Sequence, residues 1–112
     1  MKVRLPYPPS GNNFYSVFRG RKIISEDGRD YQNRASVAIE LSNPQAVGGE
    51  VRVTLWAFRP RKSGDIDNII KPVLDSLTKA GVYADDRFII ELHVYRRDDK
   101  DDPRVEVEVE AV

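Results

Sequence analysis

Pro72 constrains the fold of this chain more than any other residue, because it falls inside an otherwise helical pattern. Apolar residues recur at steps of three and four after Asp67 and would form one stripe on a helix, at Ile69, Ile70, Val73, Leu74 and Leu77. A proline inside a helix costs about 3 kcal/mol, whereas in the first turn its missing N–H matters little. We therefore predict a helix that begins near Asn68 and has Lys79 in its last turn.

Two carboxylates, Asp65 and Asp67, stand directly before this predicted helix. In an extended segment the side chains at i and i+2 point the same way, so the two carboxylates would converge on one point. Because they repel each other, they favour a hard cation between them, above all Mg²⁺. Lys71 follows Asp67 by four residues and would lie near the same face of the helix. Two carboxylates and a lysine around one point suit chemistry on a phosphate.

The same residues also fit an ordinary helix start. In that interpretation Asp67 or Asn68 is the N-cap, and the acidic pair has no catalytic role. Short motifs match by chance so often that the Asp-x-Asp pattern alone favours this simpler interpretation. The rest of the chain has to decide between the two.

The composition is that of a single globular domain spanning residues 1–112. There is no cysteine, no apolar run as long as a membrane span and no signal-peptide pattern, so we expect a cytoplasmic protein without a membrane partner. The net charge of zero hides an asymmetry: residues 1–62 carry 11 Lys and Arg against 5 Asp and Glu, and residues 63–112 carry 7 against 13. This split indicates a basic surface for a polyanion beside an acidic cluster that needs cations, or two solvated faces that meet in the fold.

The hydrophobic patterns predict the order strand, loop, helix, strand, helix, strand, strand. Beside the helix near Asn68, the elements are expected at residues 2–6, 29–42, 50–58, 88–97 and 104–112. They predict a small α/β (α+β) domain in which two helices pack on a mixed β-sheet of about four strands. Trp56 and Phe58 would cover the second face of this sheet, against a helix or a partner subunit.

Two segments combine positive charge with possible nucleic-acid contacts. The first interleaves aromatic with basic residues, at Phe14, Tyr15, Phe18, Arg19, Arg21 and Lys22. It can stack bases and hold phosphates, or it can form a small packed loop with solvated cations. The second, residues 59–64, contains a proline and a glycine and leads directly into Asp65. We expect a loop there that brings positive charge to the acidic pair.

A second acidic pair, Asp85 and Asp86, follows the predicted helix. A helix of about 12 residues rises about 18 Å, so the segment behind it must turn back if Asp86 is to reach Asp65 and Asp67. The sequence does not guarantee this return within one subunit, and a two-fold interface offers another route.

Among the chemistries that acidic residues support, metal-assisted phosphodiester hydrolysis fits this chain best. An EF-hand loop would need glycine and glutamate where Ile70 and Ser76 stand. Nucleophilic catalysis lacks a cysteine, and His93, the only histidine, has no serine motif beside it. Hydrolysis by one or two Mg²⁺ ions needs only carboxylates, a lysine near the scissile phosphate and a basic surface for the nucleic-acid backbone.

Three parts of the sequence carry a resemblance to a known family. Residues 64–71 read Gly-Asp-Ile-Asp-Asn-Ile-Ile-Lys, and residues 73–86 continue through a helix and Ala-Gly to Asp-Asp. Residues 5–10 read Leu-Pro-Tyr-Pro-Pro-Ser and are followed by Asn12 and Asn13. In these motifs the chain resembles the RusA family of Holliday junction resolvases.

This resemblance implies a Mg²⁺-dependent homodimer, with Mn²⁺ as a substitute, that cuts four-way DNA junctions by paired nicks. It implies that Asp65, Asp67 and Asp86, rather than Asp85, hold the metal and are catalytic, together with Lys71. The DNA-binding residues that it implies are Arg59, Arg61, Lys62 and Lys71.

Two departures from the family pattern bear on DNA binding and not on the metal site. Gly64 stands where some members carry a basic residue, and Ser10-Gly11-Asn12 is one residue longer than the tighter form of the motif. DNA affinity and sequence preference therefore need not follow the family. We predict an endonuclease that resolves four-way junctions on nucleoid-associated DNA and is encoded by the cell or by a prophage. The alternatives are a junction-binding or DNA-binding protein without cleavage, and a flap or RNA nuclease that uses the same acidic site.

Overall fold

The computed structural model describes all of residues 1–112. The elements are, in chain order, β1 (Lys2–Pro6), α1 (Gly11–Phe14), β2 (Tyr15–Phe18), β3 (Arg21–Ile24), α2 (Glu26–Leu41), β4 (Val51–Arg59), α3 (Ile70–Lys79), β5 (Ile89–Asp98) and β6 (Arg104–Ala111). Short 3₁₀ turns at Ile66–Ile69 and Asp86–Phe88 precede α3 and β5. None of the helices is both long and apolar enough to cross a membrane.

Four strands form one mixed sheet in the order β1–β6–β4–β5. Strand β4 pairs antiparallel with β6 and parallel with β5, and β1 pairs antiparallel with β6. A parallel pair needs a crossover connection, and α3 supplies it between β4 and β5. The predicted α+β class with a mixed sheet of four strands is confirmed.

The core lies between one face of the sheet and the two longer helices. Strand β4 is its centre, because every second residue from Val51 to Ala57 is fully buried on this face. On the opposite face Trp56 and Phe58 are only partly buried. There Trp56 stacks on Tyr95, with ring centroids 6.1 Å apart, and Arg104 lies 3.8 Å from the centre of the Phe58 ring. Trp56 and Phe58 thus contact side chains of neighbouring strands, and not a helix, which was one of the two partners expected for them.

Helix α2 begins three residues earlier than predicted, because Ser25 caps it. The Ser25 Oγ accepts a hydrogen bond from the Gly28 N–H at 3.0 Å, and Glu26 and Asp27 place negative charge in the first turn. Helix α3 begins at Ile70 after the 3₁₀ turn, so that Pro72 lies in its first turn, as predicted.

Residues 15–24, predicted as a loop, form the hairpin of β2 and β3. Its two turn residues, Arg19 and Gly20, have φ angles of 52° and 75°. Positive φ at both central positions is typical of a type I′ hairpin turn, for which Asn-Gly rather than Arg-Gly is the usual sequence. Because Arg19 is unusual at this turn position, the sequence did not predict the hairpin.

The close approach of α2 to the end of α1 yields a prediction about Gly28. A Cβ there would overlap the Phe14 carbonyl group and come within 2.7 Å of Ile24 Cγ2. We expect Gly28→Ala to lower the free energy of unfolding by about 1–3 kcal/mol, even though alanine is the better helix former. Urea denaturation measures this. Asn33→Ala on the exposed face of the same helix is the control and should stabilise slightly; a gain at Gly28 would contradict the packing.

Buried tyrosines make a second prediction, about alkaline pH. Burial raises the pKa of Tyr31 and of Tyr83, whose hydroxyls donate to Pro6 O and Leu74 O at 2.7 Å and 3.1 Å. The unfolded chain therefore loses these protons first, near pH 10. Above that pH the folded protein holds more protons than the unfolded chain, so each further rise in pH favours unfolding. We expect the free energy of unfolding to fall from about pH 10 upward. Urea denaturation at several alkaline pH values, with tyrosinate absorbance followed in parallel, tests this. Ionisation of all five tyrosines in the folded protein near pH 10 would contradict it.

Candidate active site

The loop behind β4 delivers the first acidic residues. Gly64 turns the chain with a φ of 76°, and Arg96 on β5 donates to the Gly64 carbonyl at 3.0 Å. Asp65 is extended, with φ −94° and ψ 153°, but Asp67 already belongs to the 3₁₀ turn. The predicted geometry, in which both carboxylates project from one extended segment, is therefore wrong. Asp65 and Asp67 line two neighbouring clefts, and Asn68 lines both.

Helix capping does not account for these carboxylates either. The residue at the N-cap of the 3₁₀ turn is Asp65, and Ile69 holds that position for α3; neither makes a side-chain cap hydrogen bond. The expected capping by Asp67 or Asn68 is absent. Asp65 and Asp67 are exposed and form neither an ion pair nor a side-chain hydrogen bond with another residue. Two unpaired negative charges thus stand at the start of the crossover.

Asp86 returns to this region within the same subunit. Gly81, with a φ of 76°, reverses the chain behind α3, and the Val82 N–H donates to Leu77 O at 3.2 Å. The side chain of Asp85 then accepts from the Arg87 N–H at 3.0 Å and caps the 3₁₀ turn that begins at Asp86. Asp86 therefore reaches Lys71 within one subunit, but it forms no group of three carboxylates with Asp65 and Asp67.

Asp86 lies beside α3 and shares polar contacts with it. The Thr78 hydroxyl donates to Asp86 Oδ1, and Lys71 Nζ lies 3.5 Å from Asp86 Oδ2. Lys71 Nζ is closer to Asp75 Oδ1, at 2.9 Å, and the Tyr15 hydroxyl donates to the second oxygen of Asp75. These five side chains form one continuous polar network across α3 and β2.

The carboxylates around Lys71 keep it charged. The hydrogen bond that Lys71 donates to Asp75 is the main cause that raises the pKa of Lys71. Asp86 adds to this effect, and burial opposes it. The Lys71 side chain remains 60% exposed. It lines a cleft of about 430 Å³, the Lys71 cleft, together with Asp67, Tyr15 and Lys22. A protonated ammonium thus faces solvent next to an unpaired carboxylate.

The structure brings the predicted site residues together only in part. Asp67 and Asp86 both lie near Lys71, whereas Asp65 faces a separate cleft of about 520 Å³, the Arg61 cleft. No group of three or more His, Cys, Asp or Glu side chains is arranged to hold a metal ion. The chemistry of the donors nevertheless fits a hard cation, because carboxylate oxygens are the ligands that Mg²⁺ takes. Two of the three carboxylates, Asp65 and Asp67, form no salt bridge with a protein cation.

The basic residues before Asp65 separate into two kinds. Arg61 and Lys62 are exposed, and Arg61 lines the Arg61 cleft with Arg34. Arg59 instead pairs with Asp98, its neighbour on the parallel strand β5, and its side chain is only 15% exposed. The hydrogen bond from Arg59 is the main cause that lowers the pKa of Asp98. Arg59 therefore has an internal partner that the sequence did not reveal.

Sequence reasoning missed Asp75 and Thr78 and gave Tyr15 no definite role. Asp75 follows Lys71 by four residues, a spacing that predicts contact on a helix and would have identified the pair. Tyr15 is 60 residues from Asp75, and no local pattern indicates their contact. Only the position of the β2–β3 hairpin against α3 brings them together.

Comparison with known proteins identifies the family. The model of the family described as endodeoxyribonuclease RusA matches residues 6–110. The crossover junction endodeoxyribonuclease RusA of Escherichia coli (strain K12) is 35% identical over 98 residues, which cover 84% of this chain and 80% of the relative. The protein of the same name from Enterobacteria phage 82 is 33% identical, and that from Shigella sonnei (strain Ss046) 32% identical, each over 96 residues with the same coverage of both chains. The resemblance seen in the sequence motifs is confirmed, and this chain belongs to the RusA family of endodeoxyribonucleases.

Proposed function

We propose that this chain is a Mg²⁺-dependent endonuclease that resolves four-way DNA junctions as a homodimer. The relatives in the bacterial and phage genomes are named crossover junction endodeoxyribonucleases, and they match 84% of the chain. The observation that carries the proposal is the charged Lys71, which faces the same cleft as the unpaired Asp67 and contacts Asp86. A cation and carboxylates at one cleft support metal-assisted hydrolysis of a phosphodiester.

The proposed metal ligands are Asp65, Asp67 and Asp86. A bound Mg²⁺, or Mn²⁺ in its place, would activate a water molecule and stabilise the leaving oxygen. Lys71 presents its ammonium to the cleft and neutralises the charge that grows on the phosphate in the transition state. Thr78 orients Asp86 by its hydrogen bond to Oδ1, and leaves Oδ2 with Lys71 alone.

The proposed DNA surface adjoins these residues. Arg61 and Lys62 are exposed in the loop that leads into Asp65, and they are suited to hold the sugar–phosphate backbone. A homodimer is proposed because paired nicks in a four-way junction need two sites, and each chain supplies one. Strand β5 lies at the edge of the sheet and carries exposed apolar side chains, at Ile90, Leu92 and Tyr95. This edge offers a surface on which a second copy can pack.

The two alternative functions make different demands on the site. A junction-binding protein without cleavage has no use for exposed, unpaired carboxylates that face the phosphates, because they repel DNA. A flap or RNA nuclease could use the same residues, and only substrate choice separates it. Incubation with Mg²⁺ and a labelled four-way junction, beside linear duplex, flap and RNA substrates, distinguishes the three. We expect symmetrical nicks in the junction and little cleavage of the others.

Substitution of one unpaired carboxylate tests the catalytic assignment. We expect Asp67→Asn to slow junction cleavage by about 100-fold or more, since the proposed metal loses a charged ligand. Junction binding, measured by gel shift, should persist. Glu40→Gln, an exposed carboxylate on α2, is the matched control and should cleave normally. Normal cleavage by Asp67→Asn in Mg²⁺ would refute the assignment.

The salt dependence of binding tests the DNA surface. Each of Arg61→Ala and Lys62→Ala should weaken junction binding and reduce the slope of log K against log salt by about 1. Arg59→Ala should leave this slope nearly unchanged and lower stability instead, because its guanidinium is paired with Asp98. Gel-shift titrations at several salt concentrations and urea denaturation measure the two effects. Equal slopes for all three variants would contradict the division.

A further inference from the structure

We infer that Asp75, anchored by Tyr15, is a positioning residue that keeps the Lys71 ammonium in the cleft when Asp86 binds the metal. The inference deepens the proposed function and depends on it for the role of Lys71. It adds a carboxylate and a tyrosine, neither of which the sequence assigned to catalysis, to the residues on which cleavage would depend.

The geometry of Asp75 shows that it is held at both oxygens. Its Oδ1 lies 2.9 Å from Lys71 Nζ, and its Oδ2 accepts the hydrogen bond of the Tyr15 hydroxyl. The Asp75 side chain is 22% exposed, against 60% for Lys71. A rotation of the carboxylate would break one of the two contacts. Asp75 is therefore held at both oxygens, and Lys71 is the more exposed residue of the pair.

Asp86 is poorly suited to the same task. It lies 3.5 Å from Lys71 Nζ, which is the longer of the two contacts, and it also accepts the Thr78 hydroxyl. A cation bound to Asp86 would compete with the ammonium for the carboxylate and repel it. Asp75 would then be the remaining anionic partner of Lys71. Its negative charge also offsets the repulsion between the cation and the ammonium, so that both can stay in one site.

Tyr15 gives this anchor its own support. It begins β2, and its ring packs edge-on against Phe14, with centroids 4.8 Å apart, while Phe14 is fully buried. Lys22 on β3 lies 4.2 Å from the centre of the Tyr15 ring. The hairpin therefore holds the tyrosine hydroxyl against α3.

The simpler explanation is that Lys71 and Asp75 form an ordinary ion pair at i and i+4 on a helix surface. Such pairs contribute little to stability and nothing to catalysis. That explanation gives no reason for the third member, since Tyr15 approaches from a distant part of the chain. The two explanations differ in the effect of Asp75→Asn on the cleavage rate. If Asp75 positions Lys71, the substitution lowers the rate only while Lys71 is present.

A double-mutant cycle separates them. Wild type, Asp75→Asn, Lys71→Ala and the double variant are compared by single-turnover cleavage of a four-way junction in Mg²⁺ and by junction binding in Ca²⁺. We expect Asp75→Asn to reduce the cleavage rate by about 10-fold to 100-fold, with the binding constant changed less than about twofold. In the Lys71→Ala background the same substitution should change the rate by less than about twofold. Tyr15→Phe should act in the same direction as Asp75→Asn, by about threefold or more.

One control variant matches the carboxylate substitution. Glu40→Gln removes an exposed helical carboxylate that lies outside the site. It should cleave as wild type does. Wild-type rates for Asp75→Asn would overturn the inference. So would an equal loss of rate with and without Lys71, or a loss that merely follows a fall in the free energy of unfolding.

A measurement without substrate keeps this inference separate from the proposed function. The NMR signal of the Lys71 ammonium, assigned by its loss in Lys71→Ala, should be protected from exchange and should persist in saturating Mg²⁺. Asp75→Asn should remove that protection. If the wild type protects Lys71 in this way and cleaves no junction, the proposed function fails and the positioning role stands. If the wild type cleaves and Lys71 shows no dependence on Asp75, the positioning role fails alone.

Discussion

The parallel pairing of β4 with β5 is the constraint on which the rest of the structure depends. A parallel neighbour obliges the chain to leave one end of the sheet and return to the other, and residues 60–88 make that crossing. The proposed metal ligands Asp65, Asp67 and Asp86 lie in this crossover, as do Lys71 and Asp75, which is proposed to position it. The buried apolar face of α3 fixes the crossover on the sheet, and its polar side then carries Lys71 and Asp75. Packing and chemistry thus use opposite sides of one short helix.

Ion pairs across the sheet explain much of the charge asymmetry of the sequence. The basic N-terminal half and the acidic C-terminal half meet in pairs between neighbouring strands and in the turn before β6, namely Lys2–Glu108, Arg4–Asp102, Arg52–Glu91 and Arg59–Asp98. The interpretation of two faces that meet in the fold is therefore correct for these residues. Arg61 and Lys62, beside unpaired Asp65 and Asp67, are outside this arrangement. Four charged residues that form no salt bridge thus lie together at the start of the crossover, where a polyanion and a cation are proposed to bind.

Local physics made some of these features predictable from the sequence and hid others. The restriction that Pro72 places on a helix gave the start of α3, and alternation gave the four strands of the sheet. The convergence of Asp65 and Asp67 failed because a 3₁₀ turn begins between them, and such turns have no clear sequence signal. The contact of Lys71 with Asp86 depends on the reversal at Gly81, and the contact of Asp75 with Tyr15 on a hairpin with an unusual turn. Both are tertiary contacts, and the periodicity of apolar residues in the sequence does not predict them.

The packing of α2 against Phe14 has a consequence beyond stability. The Phe14 carbonyl accepts hydrogen bonds from the Ser25 N–H and hydroxyl, both at 2.9 Å, and Gly28 leaves no room for it to move. Tyr15 is the next residue, so the hydrogen bonds of Ser25 and the close packing of Gly28 also fix the backbone that carries its ring. A side chain larger than hydrogen at Gly28 would displace the Phe14 carbonyl group and with it the backbone at Tyr15. The position of Tyr15, and with it the hydrogen bond to Asp75, therefore depends on Gly28, an uncharged residue that is proposed to contact neither metal nor phosphate. A substitution at Gly28 would then change the cleavage rate as well as the stability.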